Sequence, residues 1–195
     1  MKKTKIITAC LFLLTFFTQA AQAEMPGMRG IQHLGLTVPN VKEATAFFKD
    51  VIGCESFFSI GPFGPFEDDW MTENLNVDKK AVIKTAHLMR CGNGPALEIF
   101  EYSAPDQKQT PPRNSDIGGH HVAFYVDDMA EAVAYLEKKG IKILGKPHTF
   151  TDTGMKDLTW VYFMAPWGMQ LEIVSYPFGQ GYEKETGRRM WDPRY

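Results

Sequence analysis

The chain has 195 residues, with 21 Lys and Arg against 23 Asp and Glu and a formal net charge of −2. Its basic residues are scattered and no aromatic–basic stripe occurs, which excludes a surface that tracks nucleic-acid phosphates; "GRR" at Gly187 to Arg189 reads as a solvated tail. The length suits one domain of ordinary size, or two small halves sharing a core.

The N-terminus reads as a secretory signal peptide over residues 1–23. "MKKTK" gives a basic start, "IITACLFLLTFFTQ" an apolar centre, and Ala21 to Ala23 a small-x-small cleavage site. The apolar stretch is short for a membrane span, and it runs well past Cys10, which argues against acylation there. Cleavage after Ala23 leaves 172 residues from Glu24, with 18 basic against 23 acidic once Lys2, Lys3 and Lys5 are removed. The expectation is an exported protein, periplasmic or extracellular, with no membrane contact after cleavage. Of its cysteines only Cys54 and Cys91 remain, and neither has the spacing of a zinc knuckle.

The mature chain carries one pattern twice. "HLGLTVPNVKEATAFFKDVIG" (His33 to Gly53) and "HVAFYVDDMAEAVAYLEKKG" (His121 to Gly140) share Val38 and Val126, then a cap residue, Asn40 or Asp128. Glu43 or Glu131 follows three places on, a capping-box arrangement, and an apolar stripe at helical spacing ends at a glycine. Each half closes alike, "ALEIFEY" (Ala96 to Tyr102) matching "QLEIVSY" (Gln170 to Tyr176), with two strand-like runs before it. "CESFFSI" and "AVIKTAHLM" fill that place in the first half, "IKILGK" and "LTWVYFM" in the second. The repeat predicts strand–helix–strand–strand–strand in both. The first module then spans residues 24–102, a polar, proline-rich linker 103–117, the second module 118–176 and a C-terminal tail 177–195.

Four polar residues recur at matching positions. Side chains alternate along a strand, so of the adjacent His120 and His121 only one shares a face with Ala123 and Tyr125. The repeat pairs His121 with His33, which lies with Gly35 and Thr37. Glu98 sits between Leu97 and Ile99, and Glu172 between Leu171 and Ile173, so both carboxylates turn away from the apolar face. Two imidazoles and two carboxylates suit a divalent transition metal with two positions left open.

These motifs, "HLGLTV", "LEIFEY", "HHVAFYVDD" and "APWGMQLEI", resemble the vicinal oxygen chelate superfamily, which includes glyoxalase I, methylmalonyl-CoA epimerase, extradiol dioxygenases and the fosfomycin- and bleomycin-resistance proteins. The resemblance covers Gly30 to about Tyr176 and implies an α+β fold: two βαβββ modules forming an open, cup-shaped mixed sheet around a metal site. Carried over by position, the metal ligands are His33, Glu98, His121 and Glu172, an order most like glyoxalase I. The ion is one of Ni, Zn, Mn, Co or Fe. Thr37 and Tyr102 stand where glyoxalase I typically has an arginine and an asparagine for glutathione. Export likewise argues against a glutathione adduct or CoA ester.

The expected activity is that of a metal-dependent lyase or isomerase on a small oxygenated molecule, through a metal-stabilised enolate or alkoxide. Glu172, or else Glu98, is the general base. An extradiol-type ring-cleaving dioxygenase, with His87, His148 or Tyr162 as acid–base group, is the alternative. A ligand-sequestering protein without catalysis is the third reading. Thr37, Tyr102, Tyr125, Trp70 and Trp160 are candidate pocket residues. "SIGPFGPFEDDW" (Ser59 to Trp70) forms either a lid or a loop pinned by its aromatics. If the second and third strands of the first module pair antiparallel, Cys54 lies near Cys91, as a disulfide or as two thiols. The partner is a small-molecule substrate, and the modules pair within one chain or exchange in a homodimer.

Overall fold

Alternating apolar residues and the two caps organise both halves of the computed structural model, which describes residues 25–195. The signal-peptide segment and Cys10 lie outside the described residues. The first half contains β1 (His33–Thr37), α1 (Val41–Phe47), β2 (Glu55–Ile60), α2 (Trp70–Leu75), β3 (Val82–Arg90) and β4 (Ala96–Ser103). The second contains β5 (Val122–Tyr125), α3 (Met129–Lys138), β6 (Ile143–Thr149), β7 (Thr159–Met164) and β8 (Gln170–Ser175), followed by α4 (Gly181–Thr186).

Strand order is β1-β4-β3-β2 in one sheet and β5-β8-β7-β6 in the other. The first and last strands of each half pair parallel and the remaining neighbours antiparallel. This is βαβββ twice, as the repeat implies. The mixed sheet is divided into two four-stranded halves.

The caps act locally as their residue types dictate. Asn40 Oδ1 accepts from the Glu43 backbone N–H at 3.0 Å and Asp128 Oδ1 from that of Glu131 at 2.9 Å. Each satisfies one of the donors that a helix start leaves unpaired. At α1 the Val41 N–H is taken by Glu101 Oε2 of β4 at 2.9 Å. That bond, ahead of the Lys84 ammonium at 3.0 Å, holds the Glu101 carboxyl below the usual carboxylate range. The stripe of α1 continues through a π-helical turn, Phe48–Ile52, and closes at Gly53 in the left-handed region, φ 89°. Helices α2 and α4 are too short to show helical periodicity, and β6 runs three residues past the expected Lys146.

The segment after β2 is tied to β3 by reciprocal 2.9 Å backbone bonds between Phe63 and Ile83. Gly61, φ 125°, lets it pass so close that a Cβ there would stand 2.7 Å from Lys84 O. Antiparallel pairing sets Glu55 opposite Arg90, and Cys54 and Cys91, just beyond that pair, form a disulfide.

The two modules share one core. Leu36, Leu97 and Ile99 of the first sheet join Val161, Phe163, Leu171 and Ile173 of the second in a single buried cluster. Phe47 and Phe48 meet Trp167 at ring-centroid distances of 5.5 and 5.8 Å. Tyr135 of α3 donates to Val51 O at 3.0 Å. Each sheet spends its apolar face on this common core, and its other face turns away from the partner module.

Candidate functional site

On β4 and β8 the buried flanking residues fix where the carboxylates go. Leu97 and Ile99 are 3% and 0% exposed, Leu171 and Ile173 0% and 4%, so Glu98 and Glu172 project from the outward faces. His33 Nε2 stands 3.2 Å from Glu98 Oε2, and His121 Nε2 stands 3.0 Å from Glu172 Oε2. His120 turns elsewhere, its Nδ1 3.0 Å from the carbonyl of Gly118. Strand parity thus picks His121 from the adjacent histidines.

The four side chains stand as two pairs. Among the described residues, no group of three or more His, Cys, Asp and Glu side chains could hold a metal ion. The modules pack through their apolar faces, so within the chain each pair looks outward.

The donor chemistry of a pair nevertheless suits a cation. His33 Nδ1 meets the side-chain oxygen of Gln32, which orients the ring. His33 then turns Nε2 toward the Glu98 carboxyl. An imidazole nitrogen and a carboxylate oxygen 3.2 Å apart are both donor types that a divalent transition metal accepts.

Glu172 is the more sequestered carboxylate, with 12% of its side chain exposed against 23% for Glu98. Burial pushes its pKa up, against the opposing pull of the His121 pair. Tyr162 stands directly opposite Glu172 in the β7–β8 register, with its ring 5.1 Å from that of His121. Burial, then the Glu172 charge, raises its phenol. Tyr102 is raised by burial and by Glu98.

A pH prediction follows from Glu172. An acid whose folded pKa exceeds its unfolded value binds more protons when folded, so stability falls as pH rises from the unfolded pKa through the folded one. Metal-free Glu172→Gln protein is therefore expected to melt higher than metal-free wild type above that window. The gap should close below about pH 4, where both states are protonated. Melting curves from pH 3.5 to 8 check this; a gap that widens toward acid contradicts the assignment.

The candidate pocket residues divide between the modules. Thr37 ends β1 opposite Phe100, and Tyr102 lies against Phe100 at 5.5 Å. Trp70 packs edge-to-face with Phe63 and Phe66 at 5.3 and 5.4 Å, and these residues with Glu67 and Asp68 line a cavity of about 600 Å³. The aromatics of this insertion therefore both pin the segment and line a cavity. Trp160 adjoins Tyr162, ring centroids 5.1 Å apart. Tyr125 lies beneath the Arg194 guanidinium, 5.0 Å from its ring centroid.

Sequence reasoning missed Gln32 and the strap made by the C-terminus. Arg194 is fastened to Asp192, with Nη2–Oδ2 at 2.6 Å, and donates to Pro177 O at 2.9 Å; Asn93 donates to Tyr195 O at 2.8 Å. The anchors are the Asn93–Tyr195 bond and the Arg194 guanidinium over Tyr125 and Tyr176, whereas Trp191 stays 59% exposed over the hairpin at Gly94. The strap borders a cleft of about 730 Å³ between β1 and β5, reaching from Leu34 to His121 and Tyr125. A tail without an internal repeat offered no pattern by which to find it.

The fold and the paired His–Glu faces define a class. Residues 32–158 match the Glyoxalase/Bleomycin resistance protein/Dioxygenase superfamily, and the chain belongs to it. It is 42% identical over 170 residues to the 2-epi-5-epi-valiolone epimerase of Actinomyces sp, covering 87% of this chain and 91% of that protein. The Glyoxalase Family Protein APC24694 from Bacillus cereus shares the fold with a TM-score of 0.57 and 17% identity, over 80% of this chain and 97% of that one. The glyoxalase family protein from Enterococcus faecalis gives 0.53 and 22%, over 75% and 97%.

Proposed function

We propose that the protein is an exported, divalent-metal-dependent epimerase of a small polyhydroxylated ketone, with each site assembled from the first module of one chain and the second module of another. The observation that carries this is the recurrence of a facing His–Glu pair on the outward side of both modules. The Actinomyces relative, named as an epimerase of 2-epi-5-epi-valiolone, supports an isomerase over a lyase. Export rests on the signal-peptide pattern of residues 1–23.

A second copy supplies what one chain lacks. Phe58 and Ile60 lie on the Glu98 face, 56% and 49% exposed, by the register Phe58–Leu88–Glu98 and Ile60–Ala86–Phe100. Apolar residues grouped beside a polar pair mark a face built to be covered. Covering it with the second module of a partner brings the two His–Glu pairs together around one ion.

His33, Glu98, His121 and Glu172 would hold that ion, which when bound supplies Lewis acidity at a ketone oxygen. The remaining chemistry belongs to the side chains. A carbon next to a ketone is a carbon acid. Glu172, whose burial favours its protonated form, takes the proton from that carbon, and the electron pair of the broken C–H bond moves to the carbonyl oxygen. Glu98, from the opposite module, returns a proton to the other face of the same carbon. Exchange with solvent restores both carboxyl groups. The half-exposed His33 and His121 keep the carboxylates oriented through their 3.2 and 3.0 Å contacts.

Elemental analysis of the purified mature protein tests the cofactor assignment. About one divalent ion per chain is expected, since a symmetric dimer of two-module chains has two such sites. Glu98→Gln and Glu172→Gln should each lower it. No ion after reconstitution with Ni, Zn, Mn, Co and Fe in turn would overturn the assignment.

A further inference from the structure

The two modules offer a substrate opposite surfaces, although they repeat one fold. On the Glu98 face of the first sheet, the row beside the carboxylate is Leu88 and Phe58, and the next row is Phe100, Ala86 and Ile60. On the Glu172 face of the second sheet the matching rows are Tyr162 with Leu144, then Val174, Trp160 and His148. Where the first module has Leu88, Ala86 and Ile60, the second has Tyr162, Trp160 and His148. These side chains form a continuous wall from the metal-ligand candidate outward. Ring centroids run 5.1 Å from His121 to Tyr162, 5.1 Å from Tyr162 to Trp160 and 5.8 Å from Trp160 to His148. Phe150 backs His148 at 5.4 Å.

The wall is rich in hydrogen-bonding groups that the fold does not use up. The indole N–H of Trp160 is buried with no acceptor among the described residues. An unmatched buried donor is costly, so a fold keeps one where something else supplies the acceptor. His148 is exposed and sits on an edge strand, held by rings on two sides. Aromatic faces pack well against the C–H face of a saturated ring, and an imidazole can both donate to and accept from hydroxyl groups.

We infer that His148 and Trp160 of the second module are the specificity-determining residues that read the substrate's ring hydroxyls, while the first module contributes an apolar wall. This rests on the epimerase reading and gives its substrate class a location: a polyhydroxylated six-membered ring, its hydroxyl-bearing edge toward β6 and β7. A site built to bond hydroxyl groups rejects an analogue lacking them far more strongly than an apolar pocket could.

The test uses the mature, metal-loaded protein and titration calorimetry with 2-epi-5-epi-valiolone, against unsubstituted cyclohexanone as the hydroxyl-free probe. Wild type should prefer the polyhydroxylated ketone by at least 100-fold, about the free energy of two hydrogen bonds. His148→Ala and Trp160→Phe should each cut that preference by about 10-fold or more with metal content unchanged, and His148→Gln should restore part of it. His148 is exposed, so its variants are expected to fold. Equal preference in wild type and His148→Ala would overturn the inference, as would a wild type that does not discriminate the two ketones. Epimerisation is scored separately on the same ketone. Discrimination without turnover would sink the epimerase reading and leave the hydroxyl-reading wall standing; turnover with unchanged discrimination in both variants would do the reverse.

Discussion

Replacing Glu172 by Gln is expected to lower the epimerisation rate by about 10²–10⁴-fold, the usual worth of a positioned general base. The amide keeps the size and the burial of the side chain but cannot accept a proton. Burial already holds this carboxyl's pKa up, which is the condition that lets a glutamate abstract a proton from carbon near neutral pH. Glu98 is less sequestered, and Glu98→Gln should lower the rate too, with proton removal surviving better than proton return. The discriminating readout is exchange against inversion. Under this assignment Glu98→Gln still washes solvent deuterium into unreacted ketone, and Glu172→Gln does not. The reverse pattern would exchange the two roles.

The second large effect concerns assembly. A chain carrying His33→Ala and Glu98→Gln has a dead first module; a chain carrying His121→Ala and Glu172→Gln has a dead second one. Each alone should be inactive. If every site draws one module from each of two chains, mixed dimers hold one site with both modules intact. Equal mixing with free exchange then restores about a quarter of wild-type activity, because half of the dimers are mixed and each has one working site of two. A site built within a single chain would give no recovery. The geometry favours recovery: the shared core around Phe48, Phe163 and Ile99 lies between the modules of one chain. Their His–Glu faces point away from each other within the chain.

Much of this was legible before any coordinates. The capping residues Asn40 and Asp128, the glycine stops and the two Leu-Glu-Ile strands gave both modules, because each signal is local and depends on a few backbone hydrogen bonds. Strand parity alone separated His121 from His120. The four metal-ligand candidates were legible as residues but not as a constellation. A repeat says that Glu98 and Glu172 occupy equivalent places, yet not whether the modules face each other or stand back to back. That depends on which faces bury together, a long-range outcome of Phe47, Phe48 and Trp167 interlocking across the molecule. The strap over Tyr125 was hidden for a similar reason, since Asp192 and Arg194 look like ordinary tail charges until the chain returns to Pro177. Gln32 was invisible because its role, orienting the His33 ring, leaves no pattern in sequence.

One measurement reaches the central claim directly: incubation of the metal-loaded mature protein with 2-epi-5-epi-valiolone in deuterium oxide, followed by proton NMR of the ketone. The expected product is a new epimer that carries deuterium only at the carbon beside the carbonyl, formed at a rate that falls at least about 100-fold in Glu172→Gln. An epimer that keeps its original proton at that carbon, or inversion undiminished in Glu172→Gln, would contradict it.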